Sequence, residues 1–295
     1  IPGFGGTHRV RTSGSPVREK NKGGVEFLRV QLDPSCPRGH HVFADSANNG
    51  PVGQALIAEL IPEFQRRFRA IADPKARFLT GHSSGGWSSL WLQVAYPNRF
   101  AGTWSTAPDP VDFRDFQRIN LYKPGENMYV DAAGRRRPLA RIRGRVRLWY
   151  DGFSKMEWVV GYGGQLHSFE AAFSPRGDDG QPLLIWDRKT GKVNTKVART
   201  WEKYDIRLIL ERNWKTLRPK LKGKLHVHMG DTDTFYLEGA TIRLKESLAK
   251  LGSDAVVEIH KGKNHFNLLR GGLAQRIRRE MVDVFLANFP EESRR

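Results

Sequence analysis

The chain has 295 residues, a formal net charge of +18 at pH 7 and one cysteine, Cys36. This length suits one large α/β domain, or a core with a sizeable insertion. The single cysteine excludes a disulfide within the chain, and without a run of about 18 apolar residues the sequence predicts no membrane-spanning helix. We therefore expect a soluble protein, whose compartment the sequence does not indicate.

The first three segments are a glycine-rich opening, a strand and a polar loop. Residues 1–8 hold three glycines, and residues 25–32 have the composition of a strand. The loop 33–51, rich in proline, glycine and asparagine, follows that strand. Because ligands bind beyond the carboxyl ends of strands in open α/β sheets, Asp45 and Ser46 are candidates for substrate contacts. Ordinary turn chemistry would explain the same two residues.

A strand, a tight turn and a helix are predicted at residues 77–94. The turn reads Gly-His-Ser-Ser-Gly at 81–85, between a strand-like run at 77–80 and a helical run at 87–94. This G-x-S-x-G pattern between a strand and a helix is typical of a nucleophile elbow, which lifts one serine clear of the backbone. The glycines keep the turn uncrowded, and the helix N-terminus favours negative charge. We interpret Ser83 as a nucleophile; the alternative is an ordinary turn rich in serine and glycine.

A serine nucleophile requires an oxyanion hole, formed by two N–H groups aimed at the developing charge. One should be the backbone N–H of Ser84, the residue after the nucleophile. The other should come from a loop that follows an earlier strand, and the glycine-rich residues 1–8 have that character. Phe4 (or Gly5) would then present the N–H. The alternative is a flexible, glycine-rich end of the chain.

Residues 107–222 separate a strand predicted at 100–105 from the next strand along the chain. This exceeds an ordinary connection and indicates a cap or lid insertion. Tryptophan is concentrated there, at Trp149, Trp158, Trp186, Trp201 and Trp214. Aromatic side chains over a site could bind an acyl chain, a phenolic ring or a sugar, and Trp149 is our candidate for that role. Filling the core of the insertion is the more common role for such residues.

Part of the positive charge lies in one segment of this insertion. Its arginines are Arg135, Arg136, Arg137, Arg141, Arg143, Arg145 and Arg147. From 141 to 148 arginine alternates with apolar residues or glycine, which predicts a single strand with one basic and one apolar face. Such a face would attract an anionic polysaccharide or cell surface, and a merely solvated face is the alternative. Without a recognised binding module we expect no specific nucleic-acid partner.

The strand predicted at 224–229 ends in the turn Gly-Asp-Thr-Asp. A carboxylate at the end of a strand is placed to orient a catalytic histidine. Asp233 is therefore the candidate acid, and Asp231 is the runner-up. Capping of the following helix would also explain both aspartates.

The same strand carries His226 and His228 on one face. A His-x-His pair can bind zinc when further ligands complete the coordination shell. No third ligand stands at a matching spacing, so we expect packing or supporting roles for both histidines and no metal site.

A last strand is predicted at 255–259, followed by the loop Lys-Gly-Lys-Asn-His-Phe and a helix from about residue 272 to residue 289. His265 in that loop is the candidate general base, because it follows the last predicted strand and completes the chain order of serine, acid and histidine. His260 lies closer to the end of the strand and is the second candidate.

The order of nucleophile, acid and base in Ser83, Asp233 and His265 is that of the α/β-hydrolases. With the opening Pro-Gly-Phe-Gly-Gly and the loop Gly-Lys-Asn-His-Phe, these residues resemble the esterase-D-like family of that superfamily. Its members include feruloyl esterases, acetyl-xylan esterases and S-formylglutathione hydrolases. The resemblance covers most of 1–110 and 222–290. Family members have strands before the oxyanion loop, so we expect this chain to be shortened at its N-terminus.

The resemblance implies an α/β-hydrolase fold with a mostly parallel central sheet, helices on both faces and a cap insertion. We expect 1–106 and 223–295 to form the core and 107–222 to form the cap. The resemblance also implies a serine esterase that acts through an acyl-enzyme on a small-molecule or polysaccharide-linked ester and needs no cofactor. Acyl transfer to an alcohol by the same residues, and polyanion binding by a non-catalytic protein, are the alternatives.

Overall fold

The computed structural model describes residues 1–9 and 24–291. Its strands are β1 (Ser35–Cys36), β2 (Gly39–His40), β3 (Phe78–His82), β4 (Gly102–Thr106), β5 (Pro138–Ile142), β6 (Arg145–Trp149), β7 (Leu225–Gly230) and β8 (Val256–His260). Its α-helices are α1 (Val52–Ala55), α2 (Ile61–Phe68), α3 (Ser84–Ala95), α4 (Tyr150–Val160), α5 (Gln165–Phe173), α6 (Thr195–Thr200), α7 (Ile206–Leu221), α8 (Glu238–Lys250) and α9 (Leu273–Asn288). A π-helical stretch, Leu56–Leu60, joins α1 to α2. No helix in these described ranges is both long and apolar enough to cross a lipid bilayer.

The central sheet has four parallel strands in the order β3-β4-β7-β8. Thr106 of β4 pairs with His82 of β3 on one side and with His228 of β7 on the other. Glu258 of β8 lies opposite His228 and continues the same row. This row lies near the carboxyl ends of the strands, where the functional loops of open α/β sheets converge.

Helices cover both faces of the sheet. On one face α3, α7 and α8 pack in a large apolar cluster that includes Leu90, Leu210 and Leu244. The opposite face is covered by α9, whose Leu273 packs in a second cluster with Trp104 of β4. A parallel sheet must be covered on both sides, because its strands are apolar on both faces. The predicted layers, a mostly parallel sheet with helices on both faces, are therefore confirmed.

Residues 107–224, between β4 and β7, hold the antiparallel β5–β6 pair and helices α4 to α7. This segment shares its apolar cluster with α3. The ring centroid of Phe173 in α5 lies 5.0 Å from that of Trp87 in α3 and 5.2 Å from that of Trp201. Trp201 and Trp186 are fully buried. At least these two of the five tryptophans in the segment fill the core.

The prediction of a strand at 25–32 is wrong, because these residues belong to no strand in the described part of the chain. Val25 is buried, and Phe27 packs edge-to-face on Phe78 of β3 at 5.5 Å and on Phe285 of α9 at 6.1 Å. The apolar residues that suggested a strand thus anchor an irregular segment through side-chain packing. Residues with high strand propensity are those that suit half-buried packing, whether or not their backbone pairs with another strand.

The single strand predicted at 141–148 is also wrong, because the chain reverses within it. Arg143 and Gly144 both have positive φ, 50° and 76°, which is the signature of the two-residue turn in a type I′ hairpin. β5 and β6 pair antiparallel across this turn. Ile142 and Leu148 are 53% and 43% exposed, so the expected apolar face is not buried.

Candidate active site

Ser83 lies at the turn between β3 and α3 in a strained conformation. Its φ of 59° and ψ of −128° lie outside the regions that non-glycine residues favour. The Ser83 N–H donates to the Thr106 carbonyl oxygen, and the Trp87 N–H donates to the Ser83 carbonyl oxygen, both at 3.0 Å. A Cβ atom added at Gly81 would overlap the carbonyl oxygen of Gly85. The turn is therefore too tight for a side chain at position 81, and its neighbours hold the serine at the tip.

The glycine-rich residues 1–6 pass next to this turn. A Cβ atom added at Gly3 would lie 3.1 Å from the Ser83 Cβ and 3.6 Å from its Oγ. Phe4 follows in the same loop, and Ser84 is the first residue of α3. The two predicted oxyanion residues are thus the immediate chain neighbours of Gly3 and Ser83, which lie so close together that a side chain at position 3 would crowd Ser83.

A cavity of about 210 Å³ opens beside this loop. It is lined by Phe4, Gly5, Gly6, Ser35, Cys36, Gly39, His40 and Gly163. Burial lowers the pKa of His40 to about 3, and burial raises the pKa of the Cys36 thiol, so both side chains are neutral near pH 7. The whole lining is therefore uncharged at that pH.

Asp233 and His265 meet in a buried hydrogen bond. The His265 Nδ1 lies 2.8 Å from Asp233 Oδ2, and because a carboxylate can only accept, Nδ1 carries the proton. The other carboxylate oxygen, Oδ1, accepts the Phe235 N–H at 2.8 Å. Asp231 instead accepts the Gly262 N–H at 2.7 Å. In the neutral imidazole, Nε2 is then the acceptor nitrogen, which is the form that a general base requires.

His82 was not singled out from the sequence, and its ring centroid lies 4.7 Å from that of His265. The Thr106 hydroxyl donates to the Gly81 carbonyl oxygen at 2.8 Å, so it accepts from His82 Nδ1 at 3.1 Å. Burial, with a smaller contribution from the neighbouring His265, lowers the pKa of His82 to about 4. His82 is thus neutral near pH 7. Its position directly before the nucleophile was the available signal.

Asp109, in the loop after β4, is a second residue that sequence reasoning missed. Its side chain is buried, and its backbone N–H lies 3.4 Å from the Ser83 carbonyl oxygen. Burial raises the pKa of this carboxyl to about 6, an effect that the Ser84 hydroxyl and His265 partly offset. The signal in the sequence was an aspartate just past the carboxyl end of a central strand.

The residues predicted to contact substrate have partners in the scaffold. Asp45 accepts from backbone N–H groups of α1 and from the Tyr96 hydroxyl, the latter at 2.5 Å. The Ser46 hydroxyl donates to a carbonyl oxygen of α5 at 3.3 Å. The Arg136 guanidinium lies 4.8 Å over the ring of Trp149, the last residue of β6. Within the described residues, the hydrogen bonds of Asp45 and Ser46 join loops and helices rather than the serine, the acid or the base.

Four of the seven arginines in the predicted basic segment make salt bridges. The pairs are Arg135–Asp131, Arg136–Asp151, Arg137–Glu126 and Arg141–Glu238. Arg141 Nε also donates to the Asp233 carbonyl oxygen at 3.0 Å, which attaches the β5–β6 hairpin to the loop that carries the acid. Part of this positive charge is therefore paired with carboxylates of the same chain.

Several solved structures are similar to this chain. A ferulic acid esterase has 12% sequence identity and a TM-score of 0.47, over 82% of this chain and 64% of that chain. An S-formylglutathione hydrolase from Agrobacterium tumefaciens has 14% identity and a TM-score of 0.43, over 83% of this chain and 64% of that chain. The fluorophosphonate-binding serine hydrolase F of Staphylococcus aureus has 11% identity and a TM-score of 0.46, over 87% of this chain and 69% of that chain. The chain thus spans less than two thirds of the length of the first two. A comparison with curated protein sequences found no match.

The model of the protein family described as "Putative esterase" matches residues 44–266. The match covers well over half of the chain and includes Ser83, Asp233 and His265. The central parallel sheet, with the three residues in the loops after β3, β7 and β8, agrees with the α/β-hydrolase fold expected from the sequence. The chain therefore belongs to this esterase family of the α/β-hydrolase superfamily.

Proposed function

We propose that the protein is a serine esterase, which hydrolyses carboxylic esters through an acyl-enzyme formed on Ser83. The observation that carries this proposal is the buried hydrogen bond of 2.8 Å between His265 Nδ1 and Asp233 Oδ2. A histidine held in this way has its Nε2 lone pair available for a proton. The family match supports ester hydrolysis, and a strained serine together with a histidine that a carboxylate orients is the set of groups that nucleophilic catalysis uses.

In the acylation step the Ser83 Oγ attacks the ester carbonyl carbon while His265 Nε2 removes the Oγ proton. The carbonyl π electrons move to oxygen, and the backbone N–H groups of Phe4 and Ser84 stabilise the resulting oxyanion. The Asp233 carboxylate stabilises the imidazolium. The tetrahedral intermediate then breaks its bond to the alcohol oxygen, which leaves with the proton from His265.

In the deacylation step His265 removes a proton from a water molecule that attacks the acyl carbon. The second tetrahedral intermediate breaks its bond to the Ser83 Oγ, which takes that proton back, and the carboxylic acid leaves. His82 is neutral near pH 7, so it places no second positive charge beside the imidazolium that forms twice in this cycle.

The cavity beside Phe4 is the site that we propose for part of the ester. Because its lining is uncharged and its volume is about 210 Å³, it suits a short or flat uncharged group better than a long chain or an ionised one. We further propose that residues 107–222 act as the cap over this region. The Arg141 N–H donates to the Thr234 carbonyl oxygen at 2.8 Å, so this segment contacts the loop that follows the acid.

Fluorophosphonate labelling of the purified chain, with the adduct located by mass spectrometry, tests the nucleophile. We expect one adduct on Ser83 and none in Ser83→Ala. Turnover of an activated ester such as a p-nitrophenyl ester should fall about 10⁴-fold to 10⁶-fold in Ser83→Ala and about 10⁴-fold in Asp233→Asn.

Two matched variants serve as controls for the acid and the base. Asp231→Asn and His260→Ala change the runner-up candidates for the acid and the base, and turnover in both should stay within a few-fold of the wild type. Retained turnover in Ser83→Ala would refute the mechanism. A loss in Asp231→Asn without a loss in Asp233→Asn would move the role of the acid to Asp231.

A further inference from the structure

Three side chains with metal-binding groups meet on the face of the sheet that α9 covers. They are His228 of β7 and Glu258 and His260 of β8. His228 lies opposite Glu258 in the parallel register and Gly230 lies opposite His260, so the three side chains leave the same face of neighbouring strands. In the described ranges 1–9 and 24–291, no other group of three histidine, cysteine or acidic residues brings its ligand atoms this close together.

The three ligand atoms form a nearly equilateral triangle. His228 Nδ1 lies 3.3 Å from His260 Nε2 and 3.6 Å from Glu258 Oε2, and His260 Nε2 lies 3.4 Å from Glu258 Oε2. In tetrahedral coordination with bonds of about 2.0 to 2.2 Å, neighbouring ligand atoms lie about 3.3 to 3.6 Å apart. A tetrahedral ion about 0.7 Å out of the plane of these atoms would lie about 2.1 Å from each of them, which is a zinc–ligand bond length.

We propose that His228, Glu258 and His260 bind Zn²⁺. Two imidazoles and one carboxylate are a donor set that this ion accepts, and three protein ligands leave a fourth position for water. The His228 side chain is buried, whereas those of Glu258 and His260 are 36% and 22% exposed, so the ion reaches the site from the β8 side. The inference does not depend on the esterase proposal.

Arg276 of α9 contacts two of the three proposed ligands. Its Nη2 donates to Glu258 Oε2 at 2.5 Å and lies 3.5 Å from His228 Nδ1. Zn²⁺ would compete with this guanidinium for Glu258 Oε2, and two cations on one carboxylate repel each other. Arg276 is 37% exposed, and Glu280, one turn further along α9, already lies 3.6 Å from its Nε. The guanidinium thus has a second carboxylate to pair with, and metal binding is a competition with Arg276.

A bound ion would join β7 and β8 just before the loops that carry the candidate acid and base. Asp233 follows His228 along the chain, and His265 follows His260, each after a short connection. Because the ion binds the folded site and not the dispersed ligands of the unfolded chain, it should also raise the melting temperature.

Isothermal titration of the tag-free, chelator-treated full chain with ZnCl₂ tests the proposal. We expect one ion per chain, the visible absorption of four-coordinate Co²⁺ when that ion is used instead, and a melting temperature raised by several degrees at saturation. His260→Ala and Glu258→Gln, both at partly exposed positions, should each weaken binding by about tenfold or more. Arg276→Ala, which removes the competing cation, should strengthen it by a similar factor.

His226→Ala is the matched control. Its ring stacks on Trp104 on the same face of the sheet but lies outside the triangle, so the affinity for Zn²⁺ should not change. The proposal would be overturned by an absence of binding to the wild type, including the case in which only Arg276→Ala binds. It would equally be overturned by a wild-type affinity in His260→Ala and Glu258→Gln, provided that circular dichroism shows both variants folded.

Discussion

Replacing Asp109 with asparagine should stabilise the protein near neutral pH more than in acid. Burial raises the pKa of this carboxyl from 3.8 to about 6, so the folded protein holds its proton more tightly than the unfolded chain does. A difference of about two pH units corresponds to about 3 kcal/mol. Below about pH 4 the carboxyl is protonated in both states and carries no penalty. Between about pH 4 and about pH 6 the unfolded chain ionises first, and the full penalty on folding is present above that window.

Urea unfolding followed by tryptophan fluorescence, from about pH 4 to about pH 8, measures this effect. The free energy of unfolding of Asp109→Asn, relative to the wild type, should grow by about 3 kcal/mol from the acid end of this range to the neutral end. Other buried carboxyls, such as Glu170, whose pKa burial raises to about 7, titrate in both proteins and cancel in the comparison. Asp283→Asn, at an exposed position of α9, is the control and should give a difference that does not change with pH. The same flat difference for Asp109→Asn would refute the reasoning.

Three further substitutions test other contacts. Gly85→Ala places a Cβ atom against the Ile1 carbonyl oxygen, so it should displace residues 1–6 next to Ser83, the candidate nucleophile. Ester turnover should then be abolished while circular dichroism stays native, and full activity would contradict this. Trp201→Ala empties a fully buried position and should lower the free energy of unfolding in urea by about 3 to 5 kcal/mol, and a loss below about 1 kcal/mol would argue against its place in the core. Arg188→Gln removes the partner 2.5 Å from the buried Glu170 and should cost about 3 to 5 kcal/mol at pH 8. That loss should shrink as pH falls below about 7, where Glu170 takes up a proton; a loss independent of pH would contradict the assignment.

Patterns between near neighbours in sequence predicted the strand, turn and helix around Ser83, although β3 ends two residues later and α3 begins three residues earlier than predicted. β3 ends at His82 and α3 begins at Ser84, because the requirement for small residues in a strand–turn–helix comes from contacts within a few positions. β7, β8 and α9 also begin and end within one or two residues of their predicted bounds. Buried strands and an amphipathic helix leave strong apolar patterns, which need no knowledge of the partner.

Features that depend on distant segments could not be predicted in this way. Residues 25–32 have the composition of a strand, but pairing also needs a neighbouring strand with unsatisfied backbone groups. Nothing in the Ala-Pro-Asp-Pro run indicates that Asp109 folds back onto the nucleophile. The ligands that could accompany His228 in a metal site are Glu258 and His260, and only the register of β7 and β8 brings them to it.

From the order of the strands we expect the turn that carries Ser83 to form early, and the loops that carry Asp233 and His265 to reach it late. The turn at Ser83 joins β3 and α3, which are consecutive in the chain, whereas β4 pairs with β7 only after residues 107–224 have closed a long loop. Pairing between strands so distant in sequence is slow compared with helix formation. During refolding from urea, native helix content should therefore return before Ser83 regains its reactivity towards a fluorophosphonate. The protein would pass through a state in which the turn at Ser83 is complete but unreactive, because the proposed base, His265, is not yet in place.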